Sequence, residues 1–330
     1  EKVAELMAKH RPAKSPEYDP STLSNYAKFS IERPTDLDFL VNFDSKSVRA
    51  TVTYYLKPLV ADVDEVVLDT SFLDIQSASV DGKNVQFRLE SRSEPLGAAL
   101  HIPLELSEKT QESEPIAVQI VSNTTDECTA LQFIEKSATD GKVAPYLFSQ
   151  CQAIHARSLL ACFDTPAVKL QYNMQVTSPY VSILSGRHAG VTELSGGLKT
   201  YKFTQPIPIP SYLIAIASGD IGSAPIGPRS HVFSEPGNLK ACKHEFEHDM
   251  ESFLQTAEKL IFPYEWDQYD ALILPASFPY GGMENPNITF ATPTLILGDR
   301  QNVDVLAHEL AHSWLGKFGY QLPVGAFLVE

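Results

Sequence analysis

From about residue 25 to 220 the chain alternates apolar and polar residues with a period of two. The runs "SVRATVTYYLKP" (47–58), "AVQIVS" (117–122), "LQYNMQVTS" (170–178) and "TYKFTQPIPI" (200–209) show it most clearly. Each puts every second side chain on one face, which suits a strand lying half-buried on a sheet and suits no helix. Prolines gather at the ends of these runs, where they cost no ladder hydrogen bonds. "VDGKNV" supplies an Asp-Gly turn between two of them. Many short strands and almost no helical period predict an antiparallel, all-β domain over residues 1–221.

The character changes at "SGDIGSAPIGPRS" (218–230), rich in Gly, Pro and Ser. A chain of 330 residues exceeds what one core usually organises, so a second domain, 222–330, is expected. Residues 238–262 carry apolar side chains at 239, 242, 246, 250, 253, 254, 257 and 260, a 3.6 period that predicts one helix ending before Pro263. A strand at "YDALIL" (269–274), the loop "PASFPYGGMENPN" (275–287), a second apolar run at "FATPTLIL" (290–297) and a helix over 303–316 follow.

Two His-Glu-x-x-His spacings occur, and only one suits a metal. In "KHEFEH", His244 and His248 lie about 200° from the apolar anchors Cys242 and Phe246, among Lys243, Glu245, Glu247 and Asp249. That reads as a solvated face. In "DVLAHELAHSWL", Val303, Val305, Leu306, Ala307, Leu310, Ala311, Trp314 and Leu315 are apolar nearly all the way round. The interruption is one polar stripe, His308, Glu309, His312 and Ser313, which a helix buried on most sides could not leave unpaired. His308 and His312, one turn apart, can present ring nitrogens to a single Zn²⁺. Glu309, offset by about 100°, is placed to take a proton from a water beside the ion. The competing reading is a core helix whose histidines bond to neighbouring carbonyls.

Glu284 is the only charged residue from Ala271 to Gly298. A lone carboxylate in neutral surroundings is costly unless a cation meets it, and a substrate ammonium would do so. A turn cap or a distant Arg partner explains it equally well. Gly281 and Gly282 beside it let backbone approach a substrate closely. Acidic residues outnumber basic ones 41 to 26, for a net charge of -15, which disfavours nucleic acid and anionic membrane as partners. Cys128, Cys151, Cys162 and Cys242 show no metal or disulfide spacing, and the opening "EKVAELMAKHRPAK" lacks a signal peptide's apolar core. A cytoplasmic protein is expected.

With "YGGMENPNITFATPTLI" followed by "VLAHELAHSW", the chain resembles the zinc aminopeptidases of the alanyl-aminopeptidase (gluzincin) family. Within it, the likeness is greatest to the branch of leukotriene A4 hydrolase and its aminopeptidase relatives. "PYLFSQCQAIHARSLLACFDTP", "IPIPSYLIAIASGDI", "IGPR" and "WDQYDALILPASFPYGGMENP" extend it over roughly residues 20 to 314. The resemblance implies a saddle-shaped amino-terminal β domain followed by a thermolysin-like catalytic domain with one Zn²⁺ per chain. It assigns His308 and His312 as zinc ligands and Glu309 as general base. It implies that Glu284 holds the substrate's free α-amino group, within an exopeptidase segment of Gly281, Gly282, Met283, Glu284 and Asn285. Gln152 and Ala153 match positions near the substrate's first residue, and Tyr280 a pocket wall. Peptides with a free amino terminus are the implied substrates, and a lipid epoxide is a further substrate that the likeness permits.

The end of the chain departs from the family. Its spacing puts the third ligand, a Glu, one place past residue 330, so Glu330 qualifies only if the intervening loop is a residue shorter. The family's transition-state tyrosine and carboxy-terminal helical domain fall beyond 330. The expectation is therefore a catalytic domain that is incomplete here, from a fragment or a spliced form. An inactive form acting as a binding or regulatory protein is the alternative.

Overall fold

The structure, a computed structural model, describes residues 19–104 and 114–318. The largest sheet formed by the first 220 residues has nine strands. Its spatial order runs Arg187–Glu193, Lys199–Ile209, Leu170–Ser178, Thr35–Asn42, Ser47–Pro58, Ile116–Thr124, Leu73–Val80, Lys83–Val85, with Phe29–Ile31 added beside Ser47–Pro58. The alternation read from the sequence becomes alternation of burial: Leu37, Phe39 and Val41 face inward from one strand, Val48, Ala50, Val52, Tyr54 and Leu56 from the next. Each Val, Leu and Phe among them contributes about 1.5–3 kcal/mol of transfer free energy. Asp81 and Gly82 both take positive φ in the tight turn between Leu73–Val80 and Lys83–Val85, as an Asp-Gly hairpin requires.

One pairing is not antiparallel. Leu170–Ser178 runs parallel to Thr35–Asn42, with Met174 opposite Leu37 and Val176 opposite Phe39. Alternation reports which face is buried, not which way a neighbour runs, and these strands are too far apart in sequence to be joined by a hairpin.

A three-stranded sheet (Glu65–Thr70, Ala98–Pro103, Arg88–Leu89) and a four-stranded sheet (Leu131–Ile134, Tyr146–Ser149, Ile216–Gly219, Val181–Leu184) complete this part. Arg157, 1% exposed, ties the layers. Its guanidinium donates to Asp164 Oδ2 at 2.8 Å and to the carbonyls of Leu96 and Ser21 at 2.7 Å each. Asp69, at 3.6 Å from the same guanidinium, accepts the backbone N–H groups of Leu23 and Asp164 and the Thr22 hydroxyl. Burial raises the Asp69 carboxyl to about 6, and the Arg157 charge opposes that rise.

Beyond Gly219 the chain enters a five-stranded sheet of order Gly222–Gly227, Ser230–Ser234, Asp270–Ile273, Ile288–Ala291, Gly282–Met283. Three helices accompany it: α1 (Leu239–Phe246), α2 (Met250–Leu260) and α3 (Val303–Phe318). The single helix expected over 238–262 is thus two. Glu245 and Asp249 both serve the segment at 298–300. Glu245 accepts the Gly298 and Arg300 N–H groups at 2.8 Å each, and Asp249 binds the Arg300 guanidinium. These bonds pin the backbone at the break, and Glu245 is fully buried rather than on a solvated face.

No helix among the described residues is long and apolar enough to cross a membrane.

Candidate active site

The segment Gly282–Met283 is the edge strand of the five-stranded sheet, paired antiparallel with Ile288–Ala291 so that Gly282 faces Ala291 and Met283 faces Phe290. Residues 284–287 make the connecting turn. Asn287 takes φ 68° there, a left-handed conformation that Asn tolerates better than most residues. Its side chain is buried and spends every polar atom. Nδ2 donates to the Trp266 carbonyl at 2.8 Å and that of Gln268 at 3.2 Å, and Oδ1 accepts from Gln205 Nε2 at 2.9 Å. Gln205 lies on Lys199–Ile209 of the nine-stranded sheet, so the β domain holds the turn that carries Glu284.

Helix α3 is laid against this hairpin. Leu306, Leu310 and Trp314, spaced by four, form its buried stripe. Trp266 Nε1 donates to the Ser313 carbonyl at 2.7 Å, and Trp314 Nε1 to that of Phe262 at 2.8 Å. The Tyr269 hydroxyl is hydrogen-bonded to Thr289 Oγ1 at 2.7 Å and donates to the Leu306 carbonyl at 3.3 Å. The helix is not buried on most sides, contrary to the sequence expectation. Asp304, His308 and Ala311 are exposed and Val303, Val305 and Ala307 only half-buried, because its described neighbours all lie on one side.

Glu309 faces inward, 7% exposed. Its carboxylate rests against Gly282, where a Cβ would lie 2.3 Å from Oε1. A side chain at 282 would have to displace Glu309, and that close approach is what glycine supplies here. Burial first, and then the negative charge of Glu284, push the Glu309 carboxyl up to about 7. Donor atoms of Glu284, Glu309 and His312 all lie within 4.8 Å of one another, the one such group among the described residues. His308 Nε2 stands 3.3 Å from His312 Nε2.

That separation tests whether zinc fits. Two imidazole nitrogens bound at about 2.0–2.1 Å in a tetrahedral shell stand about 3.3 Å apart. The 3.3 Å between the two nitrogens therefore fits a shared ion, and Glu330, the third ligand that the resemblance implies, lies outside the described residues. His244 and His248, by contrast, are exposed, with ring centroids 6.5 Å apart, and belong to no donor group of three among the described residues.

The remaining expected positions gather around the edge strand to different degrees. Met283 is buried, and Gln150 Nε2 donates to its sulfur at 3.1 Å, which brings the 150–153 segment against the 281–285 segment. Gln152 and Ala153 are half-buried and joined by a cis peptide. Tyr280 is half exposed and stacks edge-on against Phe278. Gly281 accepts the Thr292 N–H at 3.1 Å. Asn285 is buried, and its Nδ2 and Gln150 Oε1 have no hydrogen-bond partner among the described residues. Leaving such atoms unpaired costs about 1–3 kcal/mol each, so they mark a surface made to meet something polar. The sequence reading passed over Gln150. The alternation in "SQCQA" could have found it, since Gln150 and Gln152 flank buried Cys151.

Residues 17–213 match the family model of the Peptidase M1 N-terminal domain, and residues 244–318 that of the Peptidase family M1 domain. The chain belongs to the M1 peptidase family. It is 59% identical over 306 residues to leucine aminopeptidase 2-1 of Meyerozyma guilliermondii, covering 93% of this chain and 48% of that one. It is 51% identical to leucine aminopeptidase 2 of Saccharomyces cerevisiae, covering 93% and 45%. Among solved structures, yeast LTA4 hydrolase in complex with bestatin superposes with a TM-score of 0.85 at 50% identity, over 94% of this chain and 47% of that one. The chain spans about half the length of these M1 relatives.

Proposed function

We propose that this chain carries the zinc-binding and amine-recognising half of an aminopeptidase that removes the first residue of peptides. The observation that carries this reading is the meeting of α3 with the edge strand. Two imidazoles stand at zinc spacing, and beside them a buried carboxylate is pressed onto Gly282 with a second carboxylate within 4.8 Å. His308, His312 and Glu330 would hold the ion. When bound, zinc supplies Lewis-acid polarisation of the scissile carbonyl and acidifies water beside it.

In this reading Glu309 takes the proton of the attacking water and passes it to the leaving amine. Glu284 accepts the substrate's ammonium, which limits attack to the first peptide bond. The peptide lies along the free edge of Gly281–Met283 as an added strand, with Gln152, Ala153, Tyr280 and Asn285 around its first side chain. The division of the chain near residue 221 is part of the proposal, supported by the change of sheet between Gly219 and Gly222. So is a cytoplasmic setting, in keeping with four free cysteines. The likeness to yeast LTA4 hydrolase supports a lipid epoxide as a further occupant of the same pocket.

The test is hydrolysis of an aminoacyl anilide and of its N-acetyl derivative. The free amine should be cleaved and the acetylated one spared. Glu284→Ala should raise KM for the free amine by at least about tenfold, the loss of a charge-assisted hydrogen bond. Equal cleavage of both substrates, or an unchanged KM, contradicts the assignment.

A further inference from the structure

A cavity of ≈ 220 Å³, apart from the candidate active site, opens at the seam where the β domain meets the five-stranded sheet. Val181, Tyr201, Phe203, Phe233 and Ile288 give it apolar walls drawn from three sheets. Ser182, Arg187, His188, Gln268, Asp270 and Asn287 supply its polar lining. A cavity of about 150 Å³ lined by apolar side chains already holds a benzene ring, so this one admits a ring with a short substituent.

The acid is the informative feature. Asp270 is 8% exposed and begins the strand Asp270–Ile273. Its carboxylate accepts the His231 N–H at 2.7 Å and Gln268 Nε2 at 2.7 Å. A carboxylate offers about four acceptor positions, so two donors leave capacity unused. Among the described residues no Lys or Arg nitrogen lies within 4.0 Å of it, and the only ion-pair partner is the His231 ring at 3.5 Å, a cation only when protonated. Arg187, also in the lining, is turned elsewhere: it donates to the Glu265 carbonyl and sits 3.9 Å from Asp267. Burial raises the Asp270 carboxyl above its ordinary value, the cost of holding a carboxylate away from water with no permanent counter-charge beside it.

The geometry points to a second amine-binding site here, separate from Glu284, that takes a small primary amine carrying an aromatic or branched apolar group. The ammonium meets the open side of Asp270, and the apolar body fills the space between Phe203, Phe233 and Ile288. The floor is joined to the candidate active site. Asp270 N donates to the Asn287 carbonyl at 2.8 Å, in the turn that carries Glu284, and the adjacent Tyr269 reaches the Leu306 carbonyl of α3. The cavity stands on its own residues, so this inference and the aminopeptidase reading can fail independently.

The experiment is calorimetric titration of the full 330-residue chain bearing Glu284→Gln, which silences the other amine acceptor. Benzylamine should bind, and benzyl alcohol, its neutral counterpart, should bind at least about tenfold more weakly. Asp270→Asn should weaken benzylamine by the same factor. Val181→Trp, at the half-exposed mouth and outside the Asp270 hydrogen bonds, should block it while circular dichroism stays that of the parent. No benzylamine binding in the Glu284→Gln chain, equal binding of the alcohol, or full binding in either cavity variant overturns the site.

Discussion

A carboxyl group that is buried beside another carboxylate resists ionisation, and Glu309 is held in that position by Gly282 below it and Glu284 alongside. A zinc ion bound beside it would lower its proton affinity again, so what fits Glu309 to move a proton is its fixed place against Gly282, next to the two histidines. Glu309→Gln keeps the shape and removes the base. Turnover should fall by about 10²–10⁴-fold with zinc content unchanged, measured by metal analysis and steady-state kinetics on the same sample. Turnover within a few-fold of the parent means another group takes the proton. At this scale the sequence was most legible where a residue was isolated. Glu284 stands alone in a neutral stretch, and the i, i+4 histidines of α3 interrupt an apolar run. It misled where local charge hid a distant partner. Glu245 sits among Lys243, Glu247 and Asp249 yet is fully buried, because it captures two backbone N–H groups more than fifty positions away.

The elements followed their periods, but the ends and breaks did not. "SVRATVTYYLKP" and "LQYNMQVTS" coincide with the strands Ser47–Pro58 and Leu170–Ser178. The apolar period over 238–262 continues unbroken in the sequence although the helix does not; Glu245 and Asp249, beside the break, bond to Gly298 and Arg300. Helix α2 is fastened to the five-stranded sheet by Arg229, which donates to Glu258 at 2.8 and 2.9 Å and to Glu251 at 3.3 Å. The Arg229 hydrogen bonds, followed by the Tyr264 N–H, lower the Glu258 carboxyl from its ordinary 4.5 to about 2. A carboxyl depressed on folding adds stability above its unfolded value and loses it as pH falls through the folded one. Glu258→Gln should therefore lower unfolding free energy by about 1 kcal/mol at pH 7, with the deficit shrinking from pH 4.5 toward 2. Urea titrations at pH 7 and pH 3 check this, and a deficit equal at both is the contrary result.

For the molecule as a whole, the β domain is a part of the candidate site's support. Gln205 reaches across to Asn287, Gln150 to Met283, and Arg157 locks the 19–25 segment, the 96 turn and the 164 loop together. Arg157→Leu would strand Asp69 and Asp164 without their cation and should cost about 3–5 kcal/mol in thermal or urea unfolding. A loss under about 1 kcal/mol would mean the two acids are satisfied by their backbone donors. None of these long-range ties was legible beforehand, nor was the parallel pairing of Leu170–Ser178 with Thr35–Asn42, because periodicity encodes faces and not partners. What the pattern did carry was the order of parts: strands first, then the helix that presents His308 and His312. The claim on which the account stands is that those two rings grip one zinc ion. Metal analysis of the purified chain, beside a His308→Ala, His312→Ala variant of unchanged circular dichroism, measures it directly. The parent should hold about one zinc per chain and the variant essentially none. A parent without zinc after incubation with the metal, or a variant that keeps it, contradicts the account.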